Sequence, residues 1–167
     1  VTASYDLNLT QLESLLQSAP ASWFEVTIHQ HMPLFHMEHC VFARELSSGT
    51  SYKDCGRPCE RHALSLRDRA GLEHPVLADV GCRNTVFHAK SQSAASLVAA
   101  LREAGVRRYR IELVREDAGE TRKTVAAYRA LLDGRATGAD VYRRLDTEST
   151  YGVVRGSLRV LGQEPRA

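Results

Sequence analysis

The chain has 167 residues, of which 43% are hydrophobic and 25% charged, ordinary values for a soluble globular protein of one domain or one piece of a larger one. A formal net charge of +2, with an isoelectric point near 8.4, excludes charge alone as a case for nucleic-acid binding. No apolar run approaches the roughly 20 residues of a membrane span and the N-terminus lacks a signal-peptide layout, so the expectation is a cytoplasmic protein without a membrane span.

Val rather than Met at position 1 points to a processed chain or an excised piece. Residues 1 to 4 are short and β-prone. Asn8 then caps a predicted helix in which Leu9, Leu12, Leu15 and Leu16 recur at helical spacing, and Pro20 stops it. Trp23 to Ile28 alternates as a strand, completing a strand-helix-strand unit of the kind that builds parallel sheets. Pro33 is expected to open a second helix that carries Cys40 and ends at Ser47-Ser48-Gly49. Next comes a polar loop with Cys55 and Cys59. A predicted hairpin of Leu64 to Asp68 and Pro75 to Asp79, turning at Ala70-Gly71, ties that loop down.

Thr85 to Ala89 reads as a brief strand, Ser93 to Ala104 as a helix ended by Gly105, and Arg108 to Val114 as a strand. A helix over Thr124 to Leu132 stops at Gly134, and a short one spans Gly138 to Leu145. From Thr147 onward an irregular end is expected.

All four cysteines lie in one stretch, spaced Cys40-x14-Cys55-x3-Cys59-x22-Cys82. In a reducing compartment, clustered thiols point to a metal or cluster before disulfides. Thiolates suit both iron-sulfur clusters and structural zinc, but zinc ribbons mostly use two close pairs, whereas here one close pair stands with two singletons. The spacing is therefore more cluster-like than zinc-like. Buried or incidental thiols are the plain alternative. Cys40, in apolar surroundings, suits that alternative better than Cys55 and Cys59, which flank Gly56, Arg57 and Pro58.

The segments HMEHCVFARELSSG, DCGRPCERHALSLRDRAG, HPVLADVGCRNTVFHAKSQSA and RYRIELVRE, in this order, resemble the C-terminal part of peptidase family U32, the collagenase-like proteases. The resemblance runs from about Ser4 to about Leu132. It implies a (β/α) TIM-like barrel, which in full takes roughly 250 residues, so this chain would supply its last portion. Residues 1–135 would form that partial barrel with a cysteine-rich segment at 40–84. Residues 136–167 would add a short helix and an irregular tail.

The resemblance further implies a [4Fe-4S] cluster at Cys40, Cys55, Cys59 and Cys82, with zinc as the alternative. It also implies an oxygen-independent hydroxylation of RNA or a quinone precursor, with prephenate as the hydroxyl donor. The older family naming implies a protease instead. Some members carry a cysteine four residues after a histidine equivalent to His29, where this chain has Pro33. A second chain completing the barrel is an expected partner.

In a barrel, side chains at the C-terminal ends of strands line the site. That rule selects His29 after the first long strand and Glu112 near the end of RYRIEL, with Arg83 and Asn84 directly after Cys82. Arg83 could grip a carboxylate with its planar fork, or equally sit in an ion pair with Glu112 or Asp79. His29, His31, His36 and His39 crowd the approach to Cys40. A shared helical face for His36 and Cys40 is one reading, and surface or supporting roles are the preferred one. No GxSxG or HExxH marks a protease, and a thiol protease would have to use Cys40 with His39 or His36. A non-enzymatic scaffold stapled by its metal is the third reading.

Overall fold

The structure is a computed structural model that describes residues 1–149 and 151–152. Its elements, in chain order, are α1 (Leu9–Ser18), β1 (Glu25–Gln30), β2 (Pro33–Met37), α2 (Val41–Leu46), β3 (Leu64–Arg67), β4 (Glu73–Ala78), β5 (Asn84–Phe87), β6 (Gln92–Ser93), α3 (Val98–Glu103), β7 (Arg108–Ile111), α4 (Ala118–Leu132) and α5 (Gly138–Leu145). Short 3-10 turns connect several of them. The tail expected beyond residue 152 lies outside the described residues. Among those described, no helix is long and apolar enough to cross a membrane.

Asn8 caps α1 as its sequence requires: the side chain accepts the Gln11 N–H at 3.0 Å while Gln11 accepts the Asn8 N–H at 2.9 Å. Leu12 and Leu16, one turn apart, are the residues α1 buries. Ahead of it, Thr2 forms a parallel bridge to Glu25, so segment 1–3, α1 and β1 make the expected parallel unit. β1 starts two residues later than the alternation suggests, because Trp23 is drawn into a 3-10 turn after Pro20 and stays exposed.

The first sheet has the order β6-β1-β7, with β1 and β7 parallel and β6 antiparallel to β1. Helices α1, α3, α4 and α5 cover it, and Leu12, Val26, Ile28, Val98, Leu101, Val106, Tyr128 and Val141 form the principal core. Burial of each large aliphatic side chain contributes about 1.5–3 kcal/mol. The β1–β7 register shifts between Thr27, which pairs with Arg110, and His29, which pairs with Ile111. One extra residue on β1 re-aims His29 relative to a regular strand.

The second sheet is antiparallel, in the order β2-β5-β4-β3, over a small core of Phe42, Val76 and Val86. The hairpin β3–β4 forms as expected. Residues 33–37, however, are strand rather than helix. Pairing of Phe35 with Val86 and of Met37 with Asn84 satisfies their backbone across the chain, and this non-local ladder overrides the local helical signal at Pro33. Pro33 itself begins the strand, where a missing N–H costs least. The helix shrinks to α2, and Cys40 becomes its N-cap instead of an interior residue, its Sγ accepting the Ala43 N–H at 3.4 Å. The chain is thus a mixed α/β protein. Among the described residues, neither sheet closes into a barrel.

Candidate functional site

The four cysteines come from three turns that meet beside the second sheet. Cys40, Cys55 and Cys82 line one concavity of about 350 Å³, together with His39 and Tyr52. Cys59 packs with Cys40 against the Phe42, Val76 and Val86 core. Burial pushes the Cys59 thiol up, and negative charge on nearby Cys40 and Cys55 pushes it further.

The backbone is specialised at both loops. Gly56 and Arg57 are consecutively left-handed (φ +67° and +51°) between Cys55 and Cys59, and Gly81 and Cys82 repeat the pattern (φ +80° and +63°). For a residue with a side chain this conformation costs roughly 1–2 kcal/mol, so Arg57 and Cys82 hold local strain. Cys55 is placed by Gly49, where a Cβ would lie 2.5 Å from the Asp54 carbonyl oxygen and 2.7 Å from the Cys55 Cα. Asp54 anchors the same loop by accepting the Ser51 N–H at 2.7 Å and the Thr50 N–H at 3.2 Å, bonds that hold its carboxyl down to about 2.

Four thiols are the donor set of a [4Fe-4S] cluster and also of structural zinc. Among the described residues, no three His, Cys, Asp or Glu side chains are gathered tightly enough to hold one metal ion.

A second site lies at the C-terminal ends of the parallel strands β1 and β7. Its cavity, of about 420 Å³, is lined by His29, His31, Lys90, Arg115, Glu116, Lys123 and their neighbours. His29 is 3% exposed, and burial lowers its pKa to about 4. Its partner is the Tyr128 hydroxyl, 3.2 Å from Nδ1. The Ile28 carbonyl at 2.9 Å accepts from that hydroxyl and also from the Ala94 N–H, and when the hydroxyl's single proton goes there, Ser93 at 2.6 Å and His29 donate to it. In that arrangement His29 is the Nδ1–H tautomer. Its Nε2 keeps a lone pair and makes no hydrogen bond among the described residues.

His31 is arranged oppositely. Nδ1 faces the His88 carbonyl oxygen at 2.7 Å and Nε2 faces a Glu116 carboxylate oxygen at 3.1 Å. Both partners accept only, so both ring nitrogens donate and the ring is an imidazolium. Burial works against that charge, but the Glu116 carboxylate and the His88 carbonyl outweigh it and raise the pKa. Glu116 is drawn down to about 2, because the bonds from His31 and from the Val114 and Arg115 N–H groups outweigh its burial. Two histidines two residues apart thus shift in opposite directions, His29 lowered by burial and His31 raised by its carboxylate partner.

Arg115 links this loop to the cysteine hairpin. Its guanidinium donates to the carbonyl oxygens of Leu64 and Val76, the latter at 2.9 Å, and to Ser65 Oγ at 2.9 Å.

Of the residues selected from sequence, His29 lies in the cavity and the four cysteines meet at the second sheet. Asn84 is fully buried, accepting the Val41 N–H at 2.7 Å and donating to the Arg83 carbonyl at 2.8 Å. Arg83 is exposed and donates through Nε to the Val80 carbonyl at 3.3 Å; no carboxylate pairs with it among the described residues. Glu112 pairs with Arg110 at 2.8 Å. His36 is on β2, bonded to Thr85 Oγ1 at 2.8 Å, and does not share a helical face with Cys40. Asp68 bonds His74 at 3.2 Å and the Ala70 and Leu72 N–H groups, while Arg67 pairs with Glu73.

Sequence reasoning missed His31, Glu116, Lys123 and Tyr128. Glu116 lies beyond the end of β7 at Ile111, in the loop before α4, where the strand-end rule does not reach. The spacing of His29 and His31 was a signal too, read there as crowding around Cys40.

A family model described as Peptidase family U32 matches residues 1–155. No curated protein and no solved structure gives a significant match.

Proposed function

Since the chain belongs to peptidase family U32, we propose that it holds a [4Fe-4S] cluster through Cys40, Cys55, Cys59 and Cys82 and serves in an oxygen-independent hydroxylation of RNA or a quinone precursor. In that role it is the last portion of a (β/α) barrel that another segment or chain completes. The observation that carries the reading is the meeting of all four thiols from three separate turns: three line one concavity, and the fourth packs with Cys40 against the same small core. Inert thiols have no need of such convergence. The strained turns at Arg57 and Cys82 are also what a ligand-bearing loop would require.

When bound, the cluster supplies one-electron chemistry. The chain's own residues supply the rest. Cys40 caps α2, Gly49 seats the Cys55 loop, and Asn84 holds the Cys82 turn against α2. Prephenate as hydroxyl donor would find its carboxylates met by the cavity's cations, with Lys123 free of any acid partner among the described residues. Arg83, the residue after Cys82, is the further candidate for such a contact, although it does not line the cysteine concavity.

The peptidase alternative needs a thiol activated by a base. Among the described residues no histidine nitrogen is hydrogen-bonded to a cysteine sulfur, and His36, the neighbour on β2, is committed to Thr85. A metal-stapled scaffold would bind the cluster, or zinc, without turnover.

The readings separate when the anaerobically purified protein is incubated with prephenate and unmodified RNA or a quinone precursor, and the products are weighed by mass spectrometry. Addition of one oxygen atom, lost in Cys59→Ala, supports the hydroxylase. Cleavage of a peptide substrate by the metal-free protein would overturn it.

A further inference from the structure

The cavity at the ends of β1 and β7 would do more than meet the carboxylates of a hydroxyl donor, for it is separate from the cysteine concavity. Its chemistry is different. His29 offers a lone pair at Nε2 when its proton lies on Nδ1, against the Tyr128 hydroxyl that bonds the Ile28 carbonyl. His31 cannot offer one, since the His88 carbonyl and Glu116 take both of its protons.

The charges around them favour an anion. Counting His31 as charged, four cations (His31, Lys90, Arg115, Lys123) face three carboxylates (Glu116, Glu120, Asp146). Each carboxylate is already engaged: Glu116 by His31, Glu120 by the Asp117 N–H at 2.9 Å, and Asp146 by Lys90 at 3.4 Å. Arg115 is held by the hairpin carbonyls. That leaves Lys123, exposed on α4 and without an acid partner among the described residues, as the cation open to a ligand.

We propose that this cavity is a proton-transfer site in its own right. It takes a small molecule that carries a carboxylate beside an ionisable O–H or C–H group, held by Lys123 while His29 Nε2 accepts its proton. The substrate O–H or C–H bond breaks, an N–H bond forms at Nε2, and the electron pair stays on the substrate, so the step needs no redox partner. Burial makes His29 a weak base in the empty cavity, and the negative charge of a bound carboxylate offsets this. The proton is handed back as readily as it is taken, which suits a shuttle. The inference stands whether or not the cysteines hold a cluster.

Nitrogen-detected NMR of the full chain tests it, with malonate as the probe because it keeps at least one charge throughout the titration. At neutral pH, His29 is expected as the Nδ1–H tautomer and His31 as doubly protonated. Malonate is expected to raise the His29 midpoint from its low starting value, and Lys123→Met to weaken that effect about tenfold. Tyr128→Phe removes the acceptor for Nδ1–H and is expected to shift His29 toward the other tautomer. An Nε2–H tautomer in the wild-type protein overturns the inference. So does a midpoint that malonate leaves unmoved, or one that it raises equally in Lys123→Met.

Discussion

Asn84 accepts the backbone N–H of Val41 at 2.7 Å across 43 residues of chain, and this bond fastens the turn bearing Cys82 to the helix capped by Cys40. Asn84 has no exposed surface, and its amide donates to the Arg83 carbonyl. Asn84→Ala would leave an orphaned donor at the start of α2. The expected loss is about 1–3 kcal/mol in denaturant unfolding, together with poorer iron retention. Unchanged stability with lost turnover would instead return Asn84 to the chemistry at which its sequence position hinted.

Arg115 makes an analogous tie between the two sheets, by way of the Leu64 and Val76 carbonyls and Ser65. Replacement by Met keeps most of the side-chain volume and removes every donor. A loss of about 2 kcal/mol is expected, with faster amide exchange along β3 and β4. Exchange that stays native-like in the hairpin would show that the tie contributes little.

Acid should weaken the fold through His29. Unfolded, this ring titrates near 6.5; folded, it titrates at about 4, so between those values the unfolded chain binds more protons. Stability from this group is complete above pH 6.5 and falls as pH drops toward 4, by on the order of 3 kcal/mol at most. Glu116, lowered to about 2, adds a further loss below its ordinary value of 4.5. His31 has the opposite sign: its raised pKa stabilises the fold below 6.5, and that contribution is lost as pH rises through the folded value. Urea unfolding at pH 4.5 and 7 checks the balance. His29→Asn should flatten most of the slope between them.

Gly49→Ala should unseat the Cys55 loop, because backbone atoms occupy the space a Cβ needs. Iron retention is expected to fall severalfold, while α1 and the first sheet keep their native exchange rates. A variant that binds iron normally would place the Cys55 loop elsewhere in solution.

How far the sequence carries the reader depends on whether the determinant is local. The capping box at Asn8, the hairpin turn at Gly71 and the bounds of α5 are written in neighbouring residues, and they are found where expected. Residues 33–37 were misjudged because their strand exists only through pairing with β5, some fifty positions away. α4 begins six residues before the expected Thr124. Its start is a polar capping box, Asp117 with Glu120, and not an apolar repeat. The thiols announce themselves by residue type alone. The histidine cavity does not, for its members come from β1, the loop after β7 and α4, and the side-chain partners of His29 and His31, Tyr128 and Glu116, lie at distances in sequence of 99 and 85.

The measurement that bears most directly on the central claim is the iron and acid-labile sulfide content of the chain purified without oxygen, with its visible absorption spectrum. The account predicts about four of each per chain, and their loss in Cys59→Ala. One zinc with no sulfide would make the four thiols a structural site, and no metal at all would contradict the account outright.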